Sequence, residues 1–269
     1  MIFTDPGLQP KTLRPKIASQ VPDAVLAAHL GLLSRYGQDY RQLPFILKIN
    51  GKTSLSGEKD ELYSGAWLDM AEFIRFQKQS GLKIVGFGYT IYLGSRQEAR
   101  MLKEAAAMVQ AAHQAGLLAV IWMYPRNSKI KNDEDWHLLA GGAGVAACLD
   151  ADFVKIKYPY HTANTDKKAE AFQEVIQAAG RTRVICVGGS RQPAEDLLKH
   201  LTRQIKNGSS GLAIGRNLHQ RPLKEAVVLG RAIGAILHQN IDYQAACKLL
   251  KKQPVGKKVI RKNKILGLF

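Results

Sequence analysis

In the stretch ADFVKIKYPY, residues 151–160, two lysines stand two positions apart in an otherwise apolar run. Alternate side chains of a β-strand share a face, so one face carries Phe153, Lys155 and Lys157 and the other Val154, Ile156 and Tyr158. The apolar set suits packing against helices, which turns both lysines to the opposite side of the sheet. An ammonium that is desolvated and close to a second cation loses affinity for its proton. The neutral amine that remains can attack a carbonyl carbon and form a Schiff base. If the strand runs toward an open end, Lys155 lies roughly 6.6 Å deeper than Lys157, so Lys155 is the candidate nucleophile and Lys157 its charged neighbour. A structural network of ion pairs would also place two lysines inside, and this strand alone leaves both readings open.

The segment LLAVIWMYPRN supplies what an amine nucleophile needs. By the same alternation Trp122 and Tyr124 share a face, with Arg126 just past Pro125. A phenol at a strand end can carry a proton, and a guanidinium beyond it can hold a phosphate through two hydrogen bonds. Barrel filling by the aromatics and a rim salt bridge for Arg126 are the plainer alternatives. Two further strand ends have anion-binding character: VICVGGS, with Gly188, Gly189 and Ser190, and LAIGRN, with Gly215 and Arg216. Glycines let backbone N–H groups approach an anion closely, and together these ends point to a sugar phosphate or a related ligand.

These side chains must be positioned by strands. Short, apolar, β-branched segments recur at Met1–Thr4, Ala24–Ala28, Phe45–Ile49, Ile84–Tyr92, Leu118–Tyr124, Phe153–Tyr158, Arg183–Val187 and Gly211–Ile214. Helical patterns separate them. The clearest places Met101, Leu102, Ala105, Met108, Val109 and Ala112 on one stripe, with Ser95 as N-cap and Gly116 as the stop. Eight strands alternating with helices predict an α/β protein built as a single (β/α)8 TIM barrel over residues 1–247, with its site at the C-terminal ends of the strands. The short segment Gly31–Leu43 is the weakest helical slot, and an open doubly wound sheet is the alternative.

The 269-residue chain is 46% apolar and carries a formal charge of +17. Part of that charge is concentrated in a basic tail, residues 248–269, with Lys248, Lys251, Lys252, Lys257, Lys258, Arg261, Lys262 and Lys264 and no acidic residue. Few aromatics interleave with these charges, so a solvated tail or a subunit contact is preferred to a nucleic-acid contact. Cys148, Cys186 and Cys247 lack CxxC spacing, which argues against a disulfide framework and a structural zinc site. No secretory start and no apolar run of about 18 residues is present, so a cytoplasmic protein without membrane insertion is expected.

Five stretches, LPFILKINGKTSL, VGFGYTIYLGS, VIWMYPRN, ADFVKIKYPY and GLAIGRNLHQRPL, occur in an order that resembles the archaeal-type class I fructose-1,6-bisphosphate aldolases, relatives of the Schiff-base aldolases that include deoxyribose-phosphate aldolase. The resemblance implies cleavage of the bisphosphate to two triose phosphates without metal or organic cofactor, by a protein that tends to form homo-oligomers. Lys155 would be the Schiff-base lysine, Tyr124 the proton carrier and Trp122 a wall of the pocket. Gly189, Ser190, Gly215 and Arg216 would hold the C1 phosphate and Arg126 would reach toward the far one, with Gly188 and Lys157 also counted among the substrate- and phosphate-binding residues. Asp5 would stand for the aspartate of an Asp-His-Gly element, here followed by Pro6. Two loops also depart from the family pattern: YPYHTANTD replaces a Thr-Gly-Asp loop, and GGSRQP replaces Gly-Gly-Pro-Lys. A Schiff-base aldolase or synthase acting on another phosphorylated sugar is the nearest alternative.

Overall fold

The computed structural model describes residues 2–3, 13–53, 61–159 and 165–251. Asp5, the 160–164 part of the loop after the Lys155 strand, and residues 252–269 of the basic tail lie outside them. Eight strands form one parallel sheet in chain order: β1 (Ile2–Phe3), β2 (Leu26–His29), β3 (Phe45–Lys48), β4 (Ile84–Leu93), β5 (Leu118–Pro125), β6 (Phe153–Ile156), β7 (Arg183–Val187) and β8 (Gly211–Ala213). Parallel neighbours require crossover connections. Each of the seven contains a helix: α1 (Leu13–Ala18), α2 (Leu30–Tyr36), α3 (Met70–Ser80), α4 (Glu98–Gln114), α5 (Trp136–Cys148), α6 (Thr165–Ala179) and α7 (Ala194–Lys206). After β8 come α8 (Arg216–His219), α9 (Leu223–Gln239) and α10 (Tyr243–Lys251).

The sheet curls, and alternation along its strands separates two apolar layers. Between sheet and helices lies the main core, which includes Ala28, Leu47, Phe87, Ile121, Met123, Val154, Ile156 and Tyr158. Inside the curl a smaller cluster joins Ala27, Ile46, Val120 and Trp122, with Val25, Val85, Tyr124 and Phe153 against it. Among the described residues no ladder joins β8 to β1, so the observed architecture is a curled eight-stranded parallel sheet wrapped by helices. None of the described helices is long and apolar enough to cross a membrane.

Several boundaries differ from those read in the sequence. β2 begins two residues later than expected, at Leu26, and ends one residue later, at His29; Leu26, Ala27 and Ala28 are all buried. Gly31–Leu43 does hold a helix, α2, followed by a 3-10 turn at Gln38–Tyr40. Five of the six residues expected on the α4 stripe are buried, and Gly116 sits at φ 69° just past its end, as a left-handed stop requires. Ser95, however, is not the N-cap. That position is Gln97, and the Ser95 hydroxyl instead donates to Leu62 O at 2.6 Å and accepts from Gln97 N at 3.1 Å. Lys248 and Lys251 belong to the last turn of α10, so that helix runs across the expected start of the tail.

The described parts of the β3–α3 connection, residues 49–53 and 61–69, are pinned from two sides. Asn50 is fully buried; its amide donates to Ser64 O and Thr90 O and accepts from Thr90 N, all within 2.8 Å. Glu104 of α4 accepts from the Tyr63 and Tyr89 hydroxyls, each at 2.7 Å, and from Ala66 N at 3.2 Å. These bonds hold the Glu104 carboxyl below its ordinary range although burial acts the other way.

Candidate active site

Val154 and Ile156 of β6, and Tyr158 two residues past its end, are wholly buried in the main core, while Lys155 and Lys157 line the cavity on the other side. The two differ sharply. Lys155 is only 8% exposed, and its ammonium nitrogen donates to the Tyr124 hydroxyl at 2.7 Å. Burial disfavours the charged form and brings the Lys155 amine down to about 7. The same desolvation pushes the Tyr124 phenol up to about 12, against the opposing pull of the Arg126 and Lys157 charges. At neutral pH the pair therefore offers an amine that is substantially unprotonated beside a phenol that keeps its proton.

Lys157 is not the cation that lowers the pKa of Lys155. Its ammonium is taken by two carboxylates, Asp133 at 2.6 Å and Glu134 at 3.4 Å. Asp133 also faces Arg126 at 3.8 Å, and the Arg126 guanidinium lies 5.5 Å from the Tyr124 ring centre. The expected charged neighbour is thus neutralised by a loop whose acidic residues sequence spacing had not drawn into the site.

A second, part-buried amine lies nearby on β3. Lys48, at the end of β3, donates to Asn50 O at 2.8 Å and lies 5.5 Å from the Trp122 ring centre; Lys155 lies 5.8 Å from it. Trp122 is in register with Lys155, and Lys48 with Gly88. A Cβ at Gly88 would overlap the Trp122 indole, so the missing side chain opens a slot in which the ring lies across β4. One indole thereby bridges the two amines. Burial, and then the charge of Lys155, lowers Lys48 to about 7. Next to Lys48 in register is His29, whose ring stacks on Trp67 at 4.6 Å. Burial and then the Lys48 charge lower His29 to about 4, so it is neutral at physiological pH.

Tyr124, Arg126, Lys155 and Lys157 line one cavity of about 560 Å³ with Gly188, Gly189, Ser190, Gly215 and Arg216. The strand-end residues expected from the sequence are brought together, with one distinction. Gly188 donates its N–H to Ala213 O at 2.9 Å, within the sheet, so it shapes the loop instead of offering that N–H to an anion. Gly189 has φ 67°, a conformation glycine adopts at little cost, and it turns the chain after β7. The loop is held by Asn217, a wholly buried residue that went unread in the sequence. Its amide donates to Gly188 O at 2.7 Å and Ser190 O at 2.9 Å and accepts from Gln192 N at 3.0 Å. Arg221 donates to Asn217 O and Gln192 O and closes the arrangement.

A buried amine in the neutral range, a protonated phenol and an anion-sized recess form a site suited to carbonyl addition and proton transfer. Comparison with known proteins agrees with that chemistry. Residues 5–221 match the model of the DeoC/LacD family aldolases. The fructose-bisphosphate aldolase/6-deoxy-5-ketofructose 1-phosphate synthase of Methanocaldococcus jannaschii is 45% identical over 234 residues, spanning 87% of this chain and 74% of that protein. The solved fructose-bisphosphate aldolase from Slackia heliotrinireducens superposes with a TM-score of 0.85 at 42% identity, covering 90% of this chain and 76% of the other. An archaeal fructose-1,6-bisphosphate aldolase, solved with its catalytic lysine covalently bound to the carbinolamine intermediate of the substrate, superposes at 0.71 with 30% identity, covering 82% of this chain and 81% of that one. The chain belongs to the DeoC/LacD family of aldolases.

Proposed function

We propose that this aldolase is a class I enzyme that cleaves fructose 1,6-bisphosphate reversibly through a Schiff base on Lys155. The observation that carries the proposal is the 2.7 Å contact between a buried amine in the neutral range and the Tyr124 hydroxyl, inside the cavity that also holds Arg216 and the glycine-rich strand ends. Neutral Lys155 adds to the C2 carbonyl of the open-chain sugar to give a carbinolamine. As its hydroxyl leaves, Tyr124 donates the proton that makes it water, and an iminium cation remains beside the phenolate. The phenolate takes the proton of the C4 hydroxyl as the C3–C4 electron pair flows into the iminium. Glyceraldehyde 3-phosphate departs and an enamine is left. Protonation at C3 and hydrolysis release dihydroxyacetone phosphate and free Lys155.

In this reading Gly189, Ser190, Gly215 and Arg216 hold the phosphate nearest the amine, and Arg126 and Lys157 face the distal one. The catalytic unit is one domain that continues through α10, and its sheet closes into a (β/α)8 barrel; the packing of α1 on α9 supports closure by bringing the two ends of the sheet together. A second reading is favoured by the double name of the M. jannaschii relative: transfer of the enamine to another aldehyde. Cleavage of fructose 1,6-bisphosphate and fructose 1-phosphate should separate these. The proposal expects kcat/KM at least tenfold higher for the bisphosphate; equal values would remove the distal-phosphate role of Arg126 and favour the second reading. Asn217→Ala should raise KM for the bisphosphate about tenfold with a smaller change in kcat, because it frees the loop without touching the amine. Steady-state kinetics would show this, and an unchanged KM would contradict the part given to the loop.

A further inference from the structure

We infer that Lys48 is a positioning residue for the aldolase reaction: an amine on β3 that acts across Trp122 on Lys155 and helps keep the nucleophile unprotonated. The inference rests on Lys155 being the Schiff-base lysine. Its geometric basis is the slot at Gly88, which lets the indole of β5 lie over β4 until it contacts β3. Lys48 then flanks the ring at 5.5 Å and Lys155 at 5.8 Å. An ammonium attracted to an aromatic face gains from that contact, but two ammoniums sharing one buried ring repel each other through surroundings that screen charge far less than water does.

Coulomb repulsion is mutual. Burial brings Lys155 to about 7, and the charge of Lys155 in turn lowers Lys48; the inferred step is the return effect, by which a charge on Lys48 acts on Lys155 and the two protons leave in steps that belong to the pair. The other groups facing these amines do not supply this effect. Tyr124 is a neutral phenol, His29 beside Lys48 is a neutral imidazole, and Lys157 is balanced by Asp133 and Glu134. Arg126, Arg216 and His200 line the cavity that Lys155 faces, and neither Trp122 nor Lys48 is part of that lining. Lys48 also has no part in the proposed bond making, which leaves electrostatic control of Lys155 as its contribution.

The test is the pH dependence of Lys155 acetylation by trace acetic anhydride, read by peptide mass spectrometry, beside the pH profile of kcat/KM. In Lys48→Met the labelling midpoint of Lys155 and the acid limb of kcat/KM should both move up, by about one pH unit. Lys48→Arg, which restores a permanent cation, should leave both at or below the parent values, and Lys157→Met should leave the labelling midpoint in place. A purely structural role would lower activity evenly across pH with no shift in the midpoint. An unchanged midpoint in Lys48→Met, or an upward shift in Lys48→Arg, would overturn the inference. Labelling reads the amine directly, so failure of the parent to form a substrate adduct on Lys155 would remove the Schiff-base assignment separately.

Discussion

Lys155→Met should lose aldol cleavage by roughly 10⁴-fold or more, yet melt at a higher temperature than the parent at pH 7. The first effect follows from losing the only atom that bonds to the substrate in the proposed reaction. The second follows from linkage. Lys155 is held at about 7 in the folded protein against an ordinary value of 10.5. Between those values the unfolded chain binds more protons than the folded one, so stability rises with pH in that window. The destabilisation is therefore full below about pH 7, declines from there to 10.5, and is absent above. At about 1.4 kcal/mol per pKa unit the buried amine opposes folding by several kcal/mol at neutral pH. Methionine fills similar space without that penalty. Melting curves of parent and variant from pH 6 to 10 should converge as pH rises; a variant less stable than the parent throughout would show that burial of the amine is not the cause of its lowered pKa.

Tyr124→Phe should reduce kcat by about 10²- to 10⁴-fold, the usual range for a positioned proton carrier. The change keeps the ring near Arg126 and Trp122 and removes only the hydroxyl that lies 2.7 Å from Lys155. With the phenol pushed up to about 12, its loss should add no new limb to the rate profile between pH 5 and 10. The amine remains, so a Lys155 adduct should still form and accumulate while turnover falls. A kcat within a few-fold of the parent would place proton transfer on another group.

Much of this arrangement was legible in one dimension because strand alternation is a local rule. The pattern FVKIKY assigned Lys155 and Lys157 to the inside and Tyr158 to the outside without knowledge of the neighbours. The same rule marks Lys48 in FILKIN, between Ile46 and Asn50, but a lone inward lysine says nothing about its partner. The link to Lys155 depends on the absent side chain at Gly88, two strands from Lys155, and on the direction in which a Trp122 ring falls. Lys157 was misjudged for a similar reason: its acidic partners lie on the loop after β5, and spacing along β6 carries no trace of them. The glycine-rich ends were found from composition. That Gly188 belongs to the ladder and that Asn217 staples the loop are outcomes of tertiary packing.

The central claim is that Lys155 bonds to substrate carbon. Incubation with fructose 1,6-bisphosphate or dihydroxyacetone phosphate, reduction with borohydride and peptide mapping would test it most directly. The expected result is a stable substrate-derived mass on the peptide containing Lys155, absent without substrate and absent in Lys155→Met. An adduct on Lys48 or Lys157, or none on the active parent enzyme, would contradict it.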